Sequence, residues 1–237
     1  LAVLRRGQLQ LGTESLVDIG GGGHTPEWLQ AFLNNDARVL AFDATNFDHL
    51  MKVVKARGMH VTARDKHILT AGKLTVHRQA VTPPTVAKTI KSHGIQPAAR
   101  GGLFAAAPNP NAKGVPSILK IDIDSIDCEV MQAVLLGGFT PDVIVIETNP
   151  AFPPPILFHL RYGAHARRFF HAGGAHHILY GCSLSSATRI AQRFGYSLLQ
   201  FVIEDAFFVR TAALPMFTGP GARGSTSNSV GDGSGST

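Results

Sequence analysis

Cysteine is scarce: the 237 residues hold two, Cys128 and Cys182. Two cannot build a disulfide framework, so the fold must rest on a packed core, and so low a count fits a reducing compartment. No apolar run reaches the roughly 18 residues that a membrane-spanning helix needs, so no integral membrane segment is expected. Acids are also scarce, 16 against 22 Lys and Arg, for a formal net charge of +6. Across the basic stretch of residues 38–120, aromatic residues do not interleave with the bases as the stacking platform of a single-strand nucleic-acid binder requires. No His-Glu-x-x-His run and no Cys/His zinc spacing occurs, so the histidines predict no metal centre. Glycine and proline follow no triplet period, which excludes collagen. Internal repeats are absent. Leu1 rather than Met opens the chain, as in a fragment or processed product, and the compartment is left at a cytoplasmic default.

Hydrophobic residues make up 44% of the chain, enough to exclude a wholly disordered one. A single core of this size can bury about 70% of the unfolded surface. We expect an N-terminal extension over 1–14, one domain over 15–215, and a disordered tail over 216–237, where Gly, Ser, Thr and Asn dominate.

Between the ends, strand-like and helix-like segments alternate. Ser15-Leu16-Val17-Asp18-Ile19 runs into four glycines, and Thr25-Pro26-Glu27 then starts a helix carrying Trp28, Leu29, Phe32 and Leu33. Arg38 to Asp43 reads as a second strand, followed by a helix through Leu50, Val53 and Val54 that ends at Gly58. Residues 59–81 read as strand and turn, with Leu74-Thr75-Val76 the best core strand. Thr82-Pro83-Pro84 opens a helix stopped at Gly94. Ser117 to Asp124 is a buried-type strand, followed by a helix with Asp127 as its cap. Asp142 to Glu147 is the next strand, and residues 149–180 are an irregular insertion rich in Pro and His. A helix over 183–194 precedes two strands joined at Glu204-Asp205. This order predicts an α/β fold with a mostly parallel sheet, an antiparallel edge and helices on both faces.

Ligands of such sheets sit beyond the carboxyl ends of the strands, so the residues there carry the functional reading. Asp18 closes the first strand ahead of Gly20 and Gly22. Glycines admit close backbone approach, but an acid beside them suits a cationic or hydroxyl-bearing ligand better than a diphosphate. Asp43 closes the second strand, placed to accept hydrogen bonds from ribose hydroxyls. Asp122 and Asp124 alternate and should point to one side, with Asp124 at the strand's end or already in the loop. Glu147 ends the strand expected beside them. Crowded carboxylates raise one another's pKa unless a cation neutralises them. The crowd therefore reads as a seat for a positive ligand, a general base or a hard-metal site, against helix capping and ion pairs to Lys120 or Arg161. Cys182, near a helix start, reads as a packed side chain or as a thiol of lowered pKa. Asn149-Pro150-Ala151-Phe152 agrees at three of four positions with the Asn-Pro-Pro-aromatic signature of nucleic-acid amino-methylating enzymes. It follows the fifth strand where that signature follows the fourth, so base methylation is disfavoured and nucleic acid is not the expected partner.

The order of these motifs resembles the class I S-adenosylmethionine-dependent methyltransferases, in particular the FkbM-like family. The matching pieces are Leu16 to Gly21, Ala41-Phe42-Asp43, Val81-Thr82-Pro83, Ile118 to Asp124, Val143 to Pro150, Tyr180 to Leu184 and Asp205 to Arg210. The resemblance implies a seven-stranded Rossmann-like sheet, S-adenosylmethionine as methyl donor, and transfer mostly to oxygen on a small-molecule or glycan acceptor. It implies that Asp18, Gly20 and Gly22 cradle the amino-acid end of the cofactor, that Asp43 binds the ribose, and that Asp122 lies beside the methionine moiety or the substrate. Asp124 and Glu147 are the candidate bases. His24 stands where the family has a small residue, and Asp43 where it commonly has Glu. The alternatives are a methyltransferase-like binding module without turnover and a nicotinamide oxidoreductase, the latter disfavoured by Asp18.

Overall fold

The computed structural model describes residues 15–20, 38–43, 47–56, 62–65, 68–71, 74–97, 116–163 and 179–218. The helix expected from Thr25, Gly22 and His24, most of the loop over 95–116, the middle of the 149–180 insertion and the tail beyond 218 lie outside them; residues 216–218, expected in the tail, belong to a short helix. In chain order the elements are β1 (Ser15–Ile19), β2 (Arg38–Phe42), α1 (Phe47–Ala56), β3 (Thr62–Asp65), β4 (Ile68–Ala71), β5 (Leu74–His77), α2 (Pro83–Ser92), β6 (Ile118–Ile121), α3 (Asp127–Leu136), β7 (Val143–Glu147), α4 (Leu184–Arg193), β8 (Tyr196–Val202), β9 (Asp205–Arg210) and α5 (Leu214–Thr218).

The strands form one sheet in the order β3-β4-β5-β2-β1-β6-β7-β9-β8. Strands β5, β2, β1, β6 and β7 are parallel, and β9 runs antiparallel between β7 and β8. These seven are the expected Rossmann-like arrangement. Two short antiparallel strands, β3 and β4, extend it beyond β5. They occupy the stretch where the sequence reads only as strand and turn, because four-residue strands such as Thr62-Ala63-Arg64-Asp65 carry little alternation.

Strand side chains alternate between two layers. Val17, Ile19, Leu40, Phe42, Leu119, Ile121, Ile144 and Ile146 pack with Val86 and Ile90 of α2, Val130, Met131 and Val134 of α3, and Ala187 and Ile190 of α4. Leu16, Val39, Ala41, Leu74, Val76, Ile118, Val143 and Val145 pack on the other face with Phe47 of α1, and Leu214 and Phe217 of α5 join them. Helices therefore cover both faces, and the central strands are buried nearly end to end, as parallel sheets require. Pro83 and Pro84 occupy the first turn of α2, where missing N–H groups cost nothing. Among the described residues no helix is long and apolar enough to cross a membrane.

The cysteines depart from expectation. Cys128, in the first turn of α3, and Cys182, just before α4, are joined in a disulfide with no exposed surface. Cys182 is neither a reactive thiol nor merely packed. Spacing could not reveal the pair, because 54 residues separate them and only the packing of α4 against α3 brings them together. Closing a loop of that length restricts the unfolded chain, a stabilisation on the order of 2–4 kcal/mol. Replacing both cysteines, Cys128→Ala with Cys182→Ala, should lower the unfolding free energy by about that amount in urea titrations. Full stability in the double variant would show that the cross-link contributes nothing.

Candidate functional site

The chain reverses direction across the sheet between β1 and β6, the switch point where open α/β sheets place ligands. Backbone pairing continues past the strand ends there. Gly20 N–H donates to Phe42 O at 2.8 Å, Asp122 N–H to Ile19 O at 2.9 Å, and Asp43 N–H to His77 O at 2.9 Å. The segments carrying Asp18, Asp43 and Asp122 thus leave the sheet side by side. Gly20 has φ +93°, and a Cβ there would lie 1.9 Å from the carbonyl oxygen of Asp122. No other residue fits this crossing of two backbones.

Register sets the side chains. Asp18 stands opposite Ala41 on one side and Lys120 on the other, on the Leu16 face of the sheet, and Asp43 follows Ala41 by two residues on that face. Asp18, Asp43 and Lys120 are all buried. Lys120 Nζ donates to Asp122 Oδ2 at 2.7 Å. Burial works against the ammonium's charge, but the carboxylates of Asp18, Asp122 and Asp205 outweigh it and hold the Lys120 pKa above its ordinary value. The ion pair to Lys120 and the strand-end placement of Asp122 therefore coexist; they are not alternatives.

Asp122 and Asp124 do not alternate on a strand. β6 ends at Ile121, both residues lie in the loop after it, and Asp124 adopts φ +53°. The loop nonetheless gathers them with Glu147: one carboxylate oxygen from each lies within 4.8 Å of the others. Such a trio has the oxygens to hold a hard cation or the cationic end of a ligand. Burial first, then the negative charges of Asp122, Asp127, Asp124 and Glu204, push the Glu147 carboxyl up to about 10. Its Oε2 is buried with no hydrogen-bond partner among the described residues. Asp127 is not a helix cap. It is the first residue of α3, with Ile126 at the cap position, and its carboxylate turns back into the loop to accept from Ile123 N–H and Ser125 N–H.

Three further residues belong to this neighbourhood; the sequence places Asn149, Tyr180 and Asp205 within motifs and gives none of them a site role. Tyr180 feels Glu147, Glu204, Asp124 and Asp127; burial first and then these charges raise its hydroxyl to about 12. Asn149 is buried and ties the exit of β7 to that segment, donating from Nδ2 to Tyr180 O at 3.0 Å. Asp205 stands directly opposite Glu147 across β7 and β9. Only strand order discloses this pairing of acids 58 positions apart in the chain. His159, of the histidine-rich insertion, faces Glu129 at 3.3 Å and not the acid trio.

No family model matches this sequence, and no curated protein resembles it significantly. Among solved structures, it is similar to an O-methyltransferase family protein from Burkholderia thailandensis, at 13% identity and TM-score 0.46, over 88% of this chain and 54% of that one. It is also similar to the SAH-bound methyltransferase PaMTH1 of Podospora anserina, at 10% identity and TM-score 0.41, over 83% and 71% of the two chains. A third is the methyltransferase domain of bacterial CtHen1-C, at 13% identity and TM-score 0.41, over 88% and 93%. The chain spans about half the length of the Burkholderia protein.

Two outcomes follow from this geometry. Gly20→Ala should destabilise the protein by on the order of 3 kcal/mol or more, since both the positive φ and the backbone contact oppose a Cβ. A thermal midpoint within a degree of the parent would refute the crossing. Glu147 holds a proton in the native state that the unfolded chain releases near its ordinary value of 4.5. Stability from that proton is fully present below this value and is lost as the pH rises toward about 10. Glu147→Gln should flatten the dependence of the urea midpoint on pH across this range. An unchanged slope would mean that Glu147 is ionised in the native protein.

Proposed function

We propose that this chain is an S-adenosylmethionine-dependent methyltransferase of the FkbM-like kind, acting on a hydroxyl of a small molecule or glycan. The observation that carries this reading is the set of carboxylates at adjoining strand ends, Asp18, Asp43 and the Asp122–Asp124–Glu147 trio, beside a glycine that only a bare backbone can occupy. The residues fit the cofactor chemically. Its amino-acid end carries an ammonium and a sulfonium, and this crevice has more carboxylates than the one buried lysine among the described residues neutralises. Asp18, Gly20 and Gly22 are assigned to the amino-acid end, Asp43 to the ribose hydroxyls and Asp122 to the neighbourhood of the sulfonium. When bound, the cofactor supplies an electrophilic methyl group.

The chain's own contribution is positioning and proton handling. Glu147 holds its proton at neutral pH, so in the free site it donates and does not accept. The base role passes to Asp124, the exposed member of the trio, and Glu147 becomes the group whose proton a bound cation displaces. A cationic ligand should therefore release a proton on binding, with affinity rising as the pH rises.

Calorimetry tests the reading. S-adenosylmethionine and S-adenosylhomocysteine should both bind, and Asp43→Ala should weaken both at least tenfold. Repeating the titration in buffers of different ionisation enthalpy should reveal proton release with S-adenosylmethionine, and less in Glu147→Gln. Absence of heat and of thermal shift at millimolar concentrations of either ligand would sink the proposal. Binding without methyl transfer to any acceptor would leave the non-catalytic module, and tighter binding of NAD would favour the oxidoreductase.

A further inference from the structure

The residue of the acid loop that contacts nothing outside the protein is the one that shapes it. Asp127 has no exposed surface. Its Oδ1 accepts from Ile123 N–H at 2.9 Å and its Oδ2 from Ser125 N–H at 3.0 Å. These are the two amides on either side of Asp124. A second ring closes over the same residue, because Ser125 Oγ donates to Ile123 O at 3.0 Å. Ser125 O in turn accepts from Gly181 N–H at 2.7 Å, which pins the loop to the segment bearing Tyr180. At the apex sits Asp124, one of two non-glycine residues with positive φ among those described.

We infer that Asp127 is a positioning residue that holds Asp124 in its left-handed backbone conformation, and through it the carboxylate that faces Asp122 and Glu147. An L-residue other than glycine resists positive φ. Strain of this kind persists only where surrounding contacts over-determine it. Here a buried carboxylate makes two charge-assisted bonds to the flanking amides, each stronger than a neutral one. Without them the loop relaxes toward negative φ at residue 124, and the side chain swings out of the trio. Asp127 touches no reacting atom. The catalytic meaning given to Asp124 rests on the proposed methyl transfer, whereas the conformation of its backbone does not.

The experiment has two arms for that reason. In the first, amide hydrogen exchange of the full chain is followed by NMR in the parent and in Asp127→Asn, which leaves one accepting oxygen and opposes an NH₂ group to the other amide. Exchange at Ile123 and Ser125 should quicken at least tenfold, the Asp124 coupling constant should leave its left-handed value, and amides in the last two turns of α3 should stay protected. Unchanged exchange at both amides overturns the inference, whether or not the protein is a methyltransferase. In the second arm, methyl transfer is measured for Asp124→Asn, Asp127→Asn and the double variant. Asp127→Asn should lower kcat at least tenfold with less than a threefold change in KM for the cofactor, and the double variant should be no slower than Asp124→Asn alone. Losses that multiply in the double variant would overturn the inference. If Asp127→Asn fails to fold, Ser125→Ala removes only the outer ring. It should quicken Ile123 and Ser125 exchange about threefold, and no quickening there counts against the inference.

Discussion

One buried ammonium balances the carboxyl end of this sheet. Lys120 lies on β6 between the strands that bring Asp18 and Asp205, and it bonds Asp122 at 2.7 Å. Taking a lysine out of water costs several kcal/mol. Gathering carboxylates without it would cost more, because each raises the others' resistance to ionisation. The two costs offset only when both sides are present, so the lysine and its acids form a unit that cannot lose one member cleanly. Glu147 lies in the same crevice and is not among the charges that hold Lys120. Burial first, and then the neighbouring carboxylates, raise its pKa toward keeping the proton. The acid cluster therefore meets its charge in two ways, by the Lys120 counter-ion and by the raised pKa of Glu147. A positively charged ligand replaces the second solution and leaves the first in place.

That arrangement requires three loops to keep station. The exit of β1 is fixed by Gly20, which admits the Asp122 carbonyl where a methyl group would sit. Asp127 wraps the loop after β6, and Asn149 stitches the exit of β7 to the segment at Tyr180. The disulfide joins the first turn of α3 to Cys182, two residues beyond Tyr180. Asp127 acts within its own loop, whereas the Gly20 crossing, the Asn149 bond and the disulfide each join segments far apart in sequence. The acids of the trio, Asp122, Asp124 and Glu147, are partly or fully exposed. Rigidity resides beneath the site and charge resides in it, the division that a preorganised crevice needs.

Which of this could be read beforehand depends on the range of the physics involved. Strand and helix identity is local, so β1, β2, β6 and β7 were legible from apolar runs of four or five residues ending in an acid. Parallel order followed from the handed crossover rule. The strand-end positions of Asp18, Asp43 and Glu147 were legible for the same reason. Asp122 and Asp124 were assigned to one face by alternation. In fact the strand stops at Ile121, and a turn with positive φ does what pleating was expected to do. Nothing in Asp124's identity announces that φ, because its cause is a carboxylate three residues on, which reads locally as a helix cap. The cysteine pair, the facing of Glu147 by Asp205 and the choice of Lys120 as counter-ion all depend on which strands become neighbours. No window of sequence short enough to scan contains both partners.

The helices supply a last compensation. In a strand–helix–strand unit each helix begins just past the carboxyl end of the preceding strand, so its positive dipole end points toward the ligand edge. α3 begins five residues beyond Asp122 and places Asp127 and Glu129 in its first turn, while α4 begins with Ser183 capping the amide of Ser186. A half-charge at the start of α3 favours negative side chains there and lessens the repulsion within the acid loop. The same field acts against a cation entering the crevice, so the carboxylates must exceed what helix and lysine together neutralise if the site is to attract one. They do: Asp18, Asp122 and Asp205 act on the buried Lys120, and Asp124 and Glu147 gather with Asp122 beyond it. Burial and this excess together raise the Glu147 carboxyl, which makes Glu147 the place where ligand charge and protein charge exchange.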